Sequence, residues 1–342
     1  MPFPVSRQRL RALIDAFSGR RLVVAGDFVL DRFVYGHPKR VSREAPVLIL
    51  RHVRDESIPG GAGNTSANVR ALGGDPIPVG VTGRDESGRI LRELLRARGI
   101  ALDGLIEVAD YRTPTKTRIL GGAPHAIKQQ IVRFDVEDTL AGSEALSAEL
   151  SARLVIAGRG ADGAILSDYG YGAATPASVA PLRSALPQGA RICVDSRHRL
   201  GEYRGVDAAT PNEEELEEHA GATLSDSEEG VAAAGAALRE TMGSPCLLVT
   251  RGSRGMAVFD GGPGPNWIPV HGTDQVADVT GAGDTVLATF ALALSAGATP
   301  LEAALLANFA GGVVVTKMGT AVVSPEELRQ AVESDRALLG GS

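Results

Sequence analysis

Residues Arg21 to Asp27 read RLVVAGD, a short apolar run closed by a glycine and an aspartate. Such a run is the pattern of a strand buried on both faces. The polar residue that closes it marks the carboxyl edge, outside which open α/β sheets bind their ligands. The pattern returns at Gly163 to Ser167, closed by Asp168, at Arg191 to Asp195 and at Cys246 to Thr250, and Met256 to Phe259 adds another apolar run. Helical stretches are interleaved with these runs, as in a sheet covered on both faces. A doubly wound α/β sheet is therefore expected, with Asp27, Asp168, Asp195 and Thr250 facing one cleft.

Working outward, a helix is expected through Ala67 to Leu72, a strand near Pro78 to Thr82, and a helix from Glu86 to Arg98 ending at Gly99. Phe33 to Val53 alternates β-branched, polar and basic residues around Pro46, and Leu105 to Val108, Thr115 to Leu120 and Gln130 to Phe134 are short β-rich segments. Together they read as a small β-sheet lid formed from about residues 32–58 and 105–136. A helix around Ala145 to Ala157 and three more between Asp284 and Ala331 complete one domain over residues 1–342.

With 342 residues, 44% of them hydrophobic and only 4% aromatic, plus 42 glycines, the chain suits helices packed closely on a sheet. A net charge of -6 argues against nucleic acid or anionic lipid as a partner. The two cysteines, Cys193 and Cys246, sit in apolar runs and read as small core residues. Met1 to Gly19 lacks the apolar stretch of a signal peptide, and no segment has the roughly 20 apolar residues of a membrane span. A cytoplasmic location is expected.

The most informative segment for chemistry is Asp278 to Thr285, DVTGAGDT, ahead of the apolar helix Val286 to Ala296. Glycines before a helix let successive amides of Gly281, Ala282 and Gly283 turn toward one point, where the helix dipole adds positive character. Asp284, beside such an anion hole, can accept the proton of an attacking hydroxyl in phosphoryl transfer. A Gly-rich turn with an aspartate cap is the alternative on the bare pattern. No Walker A sequence and no complete GxGxxG occurs. PGGAGNTSAN (Pro59 to Asn68) brings Gly60, Gly61 and Asn64 to a helix start, and GDFVLD carries Asp27 and Asp31. These residues could hold sugar hydroxyls or simply cap and solvate.

GDxxLD, PGGAGN, TPNEEE, TRGxxGM and DVTGAGDT occur here in the order found in the ribokinase-like (PfkB) carbohydrate kinases, which the chain resembles from about Arg21 to Leu328. Within that family GDFVLDRFVYG, SREAPV, TKTR, LSDYGYG and KMGTAVVSPEEL are most similar to the kinase part of bacterial heptose 7-phosphate kinases, which often carry a fused nucleotidyltransferase domain. No such fused domain is expected here. The resemblance implies a ribokinase-like fold with a β lid, ATP with Mg2+ as donor, and transfer of the γ-phosphoryl group to a sugar C1 hydroxyl. The favoured acceptor is D-glycero-D-manno-heptose 7-phosphate.

By the same resemblance Asp284 is the base, Gly281, Ala282 and Gly283 form the anion hole, and Asp27, Asp31, Gly60, Gly61 and Asn64 bind the sugar. Asp168 joins this set, and Lys116, Arg118, Arg133 and Arg43 are candidates for an acceptor phosphate. Asn212 and Glu215 match an NxxE motif that places magnesium-bound phosphate. Thr250, Arg251, Gly252, Gly255 and Asn308 fall at the nucleotide. Asp278 and Thr280, with backbone around Lys317 and Gly319, match a loop for a monovalent cation, K+. A homodimer through the lid is also implied.

The chain departs from the heptose kinases at two places, reading DYGYG at Asp168 and DSRH at Asp195 where they read DYxKG and DPKG. A lysine is absent from each, and Arg197 is the candidate substitute for one. Kinase action on a different sugar, sugar phosphate or nucleoside is the alternative of the same class. A non-catalytic sugar or nucleotide sensor is the alternative of another class.

Overall fold

The computed structural model describes residues 2–122, 128–140, 142–224, 227–272, 278–317 and 321–339. In chain order the elements are α1 (Arg7–Asp15), β1 (Arg21–Gly26), β2 (Phe28–Val41), β3 (Leu48–Gly61), α2 (Ala62–Ala71), β4 (Asp75–Gly83), α3 (Glu86–Ala97), β5 (Leu105–Val108), β6 (Thr115–Gly121) and β7 (Gln129–Val136). Then come α4 (Glu144–Gly158), β8 (Gly163–Asp168), α5 (Val179–Ala185), β9 (Arg191–Ser196), β10 (Ala208–Ala209), α6 (Glu213–Ala220), α7 (Glu228–Met242) and β11 (Cys246–Thr250). The last are β12 (Met256–Phe259), β13 (Asn266–Ile268), α8 (Ala282–Ser295), α9 (Pro300–Val314) and α10 (Pro325–Ser334).

The large sheet runs β13-β12-β11-β10-β9-β8-β1-β4-β5, parallel from β11 to β5, with β12 antiparallel to both β11 and the edge strand β13. Strand β1 shows why its sequence is continuously apolar. Leu22 and Val24 pack into the core on one face, with α1, α2, α8 and α9, while Val23 and Ala25 pack into the core on the other, with α4, α5 and α7. Burying a strand on both faces removes the polar alternation of a half-exposed one. Cys193 and Cys246 are buried free thiols on β9 and β11. Among the described residues no helix is long and apolar enough to cross a membrane.

The second sheet has the order β3-β2-β6-β7. Strand β2 leaves directly from the end of β1 and β3 leads directly into α2, so this sheet hangs from the carboxyl edge of the large one. One expectation needs correcting: Leu105 to Val108 is not part of the lid. It pairs in parallel with Gly80 to Gly83 of β4 at the edge of the large sheet. The cause is its two-sided burial, since Leu105 joins the core on one face and Ile106 the core on the other.

Candidate active site

Two cavities meet at the N-terminus of α8. A polar one of about 310 Å3 is lined by Asp31, Lys116 and Arg118 from the lid, Asp168, Tyr169, Asp195 and Arg197 from the ends of β8 and β9, and Asp284. A largely apolar one of about 290 Å3 is lined by residues that include Thr250, Gly255, Met256, Val286 and Asn308. Val279 and Gly283 line both. The N-terminus of α8 therefore forms the shared wall, where the helix dipole adds positive character. The Ala282 amide itself donates to the Val279 carbonyl at 3.2 Å, so, against the expectation from the sequence, it is not open to an anion. Gly281, at φ 78, is the residue that turns the chain into this helix. At Gly283 a Cβ would meet nothing within 4 Å, so that position is open space.

Asp284 is buried in the first turn of α8. Its Oδ1 accepts hydrogen bonds from Thr65 Oγ1 at 3.2 Å and the Tyr169 hydroxyl at 3.1 Å, and its Oδ2 accepts one from Asn64 Nδ2 at 2.8 Å. Each carboxylate oxygen can accept about two such bonds, so Oδ1 is saturated and Oδ2 keeps one position free. Burial pushes this carboxyl up to about 6, against the pull of its three donors. The penalty on its charge is on the order of 3 kcal/mol, which leaves it ionised at neutral pH yet ready to take a proton.

Of the residues singled out in the sequence, Asp31, Gly61, Lys116, Arg118, Asp168, Asn212, Glu215, Thr280, Gly281, Gly283 and Asp284 line the polar cavity. Thr250, Gly252, Gly255, Ala282 and Asn308 line the apolar one with Gly283. Others, among them Asn64, Asp27, Gly60, Arg251 and Asp278, line neither space. Asn64 donates to Asp284, and Asp27 accepts from the main-chain amides of Tyr169, Tyr171 and Ala173 at 2.8, 3.0 and 2.9 Å. Gly60 backs onto Asp31, whose Oδ2 lies 2.3 Å from where a Cβ would stand, so it makes room for that carboxylate. Arg251 is buried, donating to Glu213 Oε1 at 2.9 Å and lying 4.8 Å from the Trp267 ring. Asp278 accepts from the Thr280 amide at 2.9 Å, and Gly319 lies outside the described residues.

The sequence profile described as "pfkB family carbohydrate kinase" matches residues 20–327. The chain belongs to that family. Among curated relatives, "Bifunctional protein HldE" of Caulobacter sp. (strain K31) is 42% identical over 322 residues, covering 93% of this chain and 64% of that protein. The chain thus spans just under two thirds of that relative's length. The structure of Arabidopsis thaliana ribokinase complexed with ribose and ATP aligns with TM-score 0.71 at 21% identity, over 93% of this chain and 100% of that one. Escherichia coli phosphofructokinase-2 in complex with substrates and products aligns with TM-score 0.73 at 19% identity, over 92% and 98%. These two alignments establish the fold, a ribokinase-like sheet with a separate small one.

In this pfkB chain the charges of the polar cavity are unevenly paired. Arg118 is held by Asp31, and Arg133 by Asp135 at 2.6 Å. The side chains of Lys116 and Arg197 make no hydrogen bond or ion pair with a described residue, and lie 5.1 and 5.5 Å from the Tyr169 ring centroid. Burial, then the charge of Arg197, lowers the Lys116 ammonium. Asp195 is held far above the ordinary carboxylate range by burial, with Glu215 and Asp284 adding to the rise. Glu215 is raised by burial too, although its Oε2 accepts from the Asn212 amide at 2.9 Å. Asp195 and Glu215 are half-buried and line the same polar space, and among the described residues no group of three or more His, Cys, Asp or Glu side chains is placed to hold a metal ion. Sequence reasoning missed Thr65 and Tyr169 as partners of Asp284. Thr65 adjoins the Asn64 already singled out, but only the fold shows that it faces α8.

Proposed function

We propose that this chain is the kinase that transfers the γ-phosphoryl group of ATP to the C1 hydroxyl of a sugar phosphate, D-glycero-D-manno-heptose 7-phosphate, giving the 1,7-bisphosphate and ADP. The carrying observation is Asp284, whose free Oδ2 position lies beside the wall common to a polar and an apolar cavity. The 42% identity to an HldE protein and the heptose-kinase motifs support the choice of acceptor.

In this reading Asp31, Gly61 and Asp168 surround the sugar, and Lys116, Arg118 and Arg197 attract its phosphate. Thr250, Gly252, Gly255 and Asn308 seat the nucleotide. Asp195, Glu215 and Asn212 hold Mg2+ near its phosphates, and Asp278 with Thr280 serves a monovalent cation, K+. When bound, ATP supplies the phosphoryl group and Mg2+ neutralises charge on it. Asp284 orients the hydroxyl and takes its proton on Oδ2, while the amides of Gly281 and Gly283 stabilise the negative charge at the cavity junction. The open space at Gly283 supports this seat.

Two copies pair through their lids in the cytoplasm. Among the described residues, seven of the ten exposed large apolar side chains lie there: Val41, Val47, Leu48, Val53, Ile131, Val132 and Phe134. Purified chain, radiolabelled ATP and a panel of sugars, sugar phosphates and nucleosides test the acceptor. Turnover on the heptose phosphate is expected. Turnover on another acceptor alone overturns the substrate, and turnover on none favours the sensor alternative.

A further inference from the structure

Asp27 is a buried carboxylate that the proposed reaction does not use. It lies beneath the turn that follows β8, where the sequence reads DYGYGA from Asp168 to Ala173. Gly170 and Gly172 take φ of 88 and 101, a conformation that L side chains rarely adopt. Alternating left-handed glycines with ordinary residues brings every second amide to the same side, so those of Tyr169, Tyr171 and Ala173 converge on one anion. Asp27 Oδ2 accepts the first two and Oδ1 the third, at 2.8, 3.0 and 2.9 Å. The Tyr171 hydroxyl donates to Glu137 at 2.7 Å and fastens the turn a second time. The other product of this arrangement is the Tyr169 hydroxyl, placed 3.1 Å from Asp284 Oδ1.

We infer that Asp27 and Tyr169 are positioning residues for Asp284: Asp27 fixes the turn after β8, and the turn delivers the tyrosine hydroxyl that orients the base. The inference rests on the reading of Asp284 as the base. Without the phenol, Oδ1 has only Thr65 and the carboxylate can rotate, so Oδ2 no longer has a fixed direction toward the acceptor. The donor also favours the charged form, so its loss moves the carboxyl further up. Other charged groups facing this space are Asp31 from β2, Asp168 from β8, Asp195 from β9, Glu215 from α6, Lys116 and Arg118 from β6, and Arg197 after β9. Tyr169→Phe alters none of them, and it keeps the ring beside Lys116 and Arg197.

The test uses the full chain with ATP and the heptose 7-phosphate, together with carbon-13 NMR titration of labelled aspartate, which needs no turnover. Tyr169→Phe should lower kcat about tenfold, the loss of one hydrogen bond to a charged group, and leave both KM values within about threefold. The acidic limb of the kcat/KM profile and the Asp284 carboxyl titration should both move to higher pH. Asp27→Asn should reproduce these changes, and combining the two substitutions should add little, because they act through one contact. If Asp27→Asn fails to fold, Tyr169→Phe and its titration decide alone. An unmoved Asp284 titration, or a raised acceptor KM at unchanged kcat, overturns the inference. Full turnover by Asp284→Asn overturns instead the reading on which it rests.

Discussion

Asn64 Nδ2 lies 2.8 Å from Asp284 Oδ2, joining the helices that follow the two glycine-rich motifs across 220 positions of sequence. Behind this contact runs a buried ladder: Asn68 Nδ2 donates to Asn64 Oδ1 at 3.2 Å, and Thr285 Oγ1 donates to Asn68 Oδ1 at 2.9 Å. Asn68 Nδ2 also donates to the Asn64 carbonyl at 3.0 Å and Thr285 Oγ1 to the Gly281 carbonyl at 3.3 Å, so removing the Asn68 amide leaves Asn64 Oδ1 without its donor while Thr285 keeps a second acceptor. Asn68→Ala, which touches neither cavity, should therefore destabilise the chain by about 1–3 kcal/mol in urea unfolding. A change below about 0.5 kcal/mol would show that the ladder is not coupled as described.

Gly283 lies in the first turn of α8, and its missing side chain faces open space. Gly283→Ala should raise the melting temperature, since alanine favours a helix by up to about 1 kcal/mol over glycine. The same methyl enters the junction of the two cavities, so kcat should fall at least about tenfold, a barrier change near 1.4 kcal/mol. Calorimetry and steady-state kinetics on one preparation would reveal the opposite signs. Gly312→Ala is the control: its Cβ would stand 2.2 Å from the His271 carbonyl oxygen, so it should lower stability.

Burial raises both Asp284 and Asp27 to about 6. A raised carboxyl binds its proton more tightly in the folded chain than in the unfolded one. Its favourable contribution is complete below the ordinary aspartate value near pH 4 and is lost as the pH climbs through about 6. Stability attributable to these two groups should accordingly decline between about pH 4 and pH 6. Activity should run the other way, with kcat/KM falling on the acid side of about pH 6 as the base protonates. Melting curves and rate profiles over pH 4–8 would expose either sign as wrong.

Phe134 is 64% exposed on β7 of the lid. If the lids pair two copies, Phe134→Glu should shift sedimentation from dimer to monomer at micromolar concentration without changing the melting of the protomer core. A wild type that sediments as a monomer would remove this part of the account.

Much of this was legible before the fold. The apolar runs gave β1, β8, β9 and β11 because strands buried on both faces have no polar alternation to hide them. Leu105 to Val108 was misplaced because four β-rich residues carry no mark of which sheet they join; only the burial of Leu105 and Ile106 on opposite faces decides it. Asp284 announced itself by its place after GAG. Asp27 and Asn64 stood in motifs just as plain, yet both face inward, because a sequence shows that a polar residue is near a site and not whether it touches the ligand or a neighbour. Tyr169 had no distinguishing pattern. Its partner lies 115 positions away.

The most direct test of the central claim is Asp284→Asn, measured for phosphoryl transfer from ATP to the heptose 7-phosphate and, separately, for ATP binding by calorimetry. Losing a general base that also aligns the nucleophile should lower kcat by about 100- to 10,000-fold, with ATP affinity within about threefold of wild type. Turnover within about tenfold of wild type, from a variant that still binds ATP, would contradict the assignment of Asp284 as the group that takes the acceptor's proton.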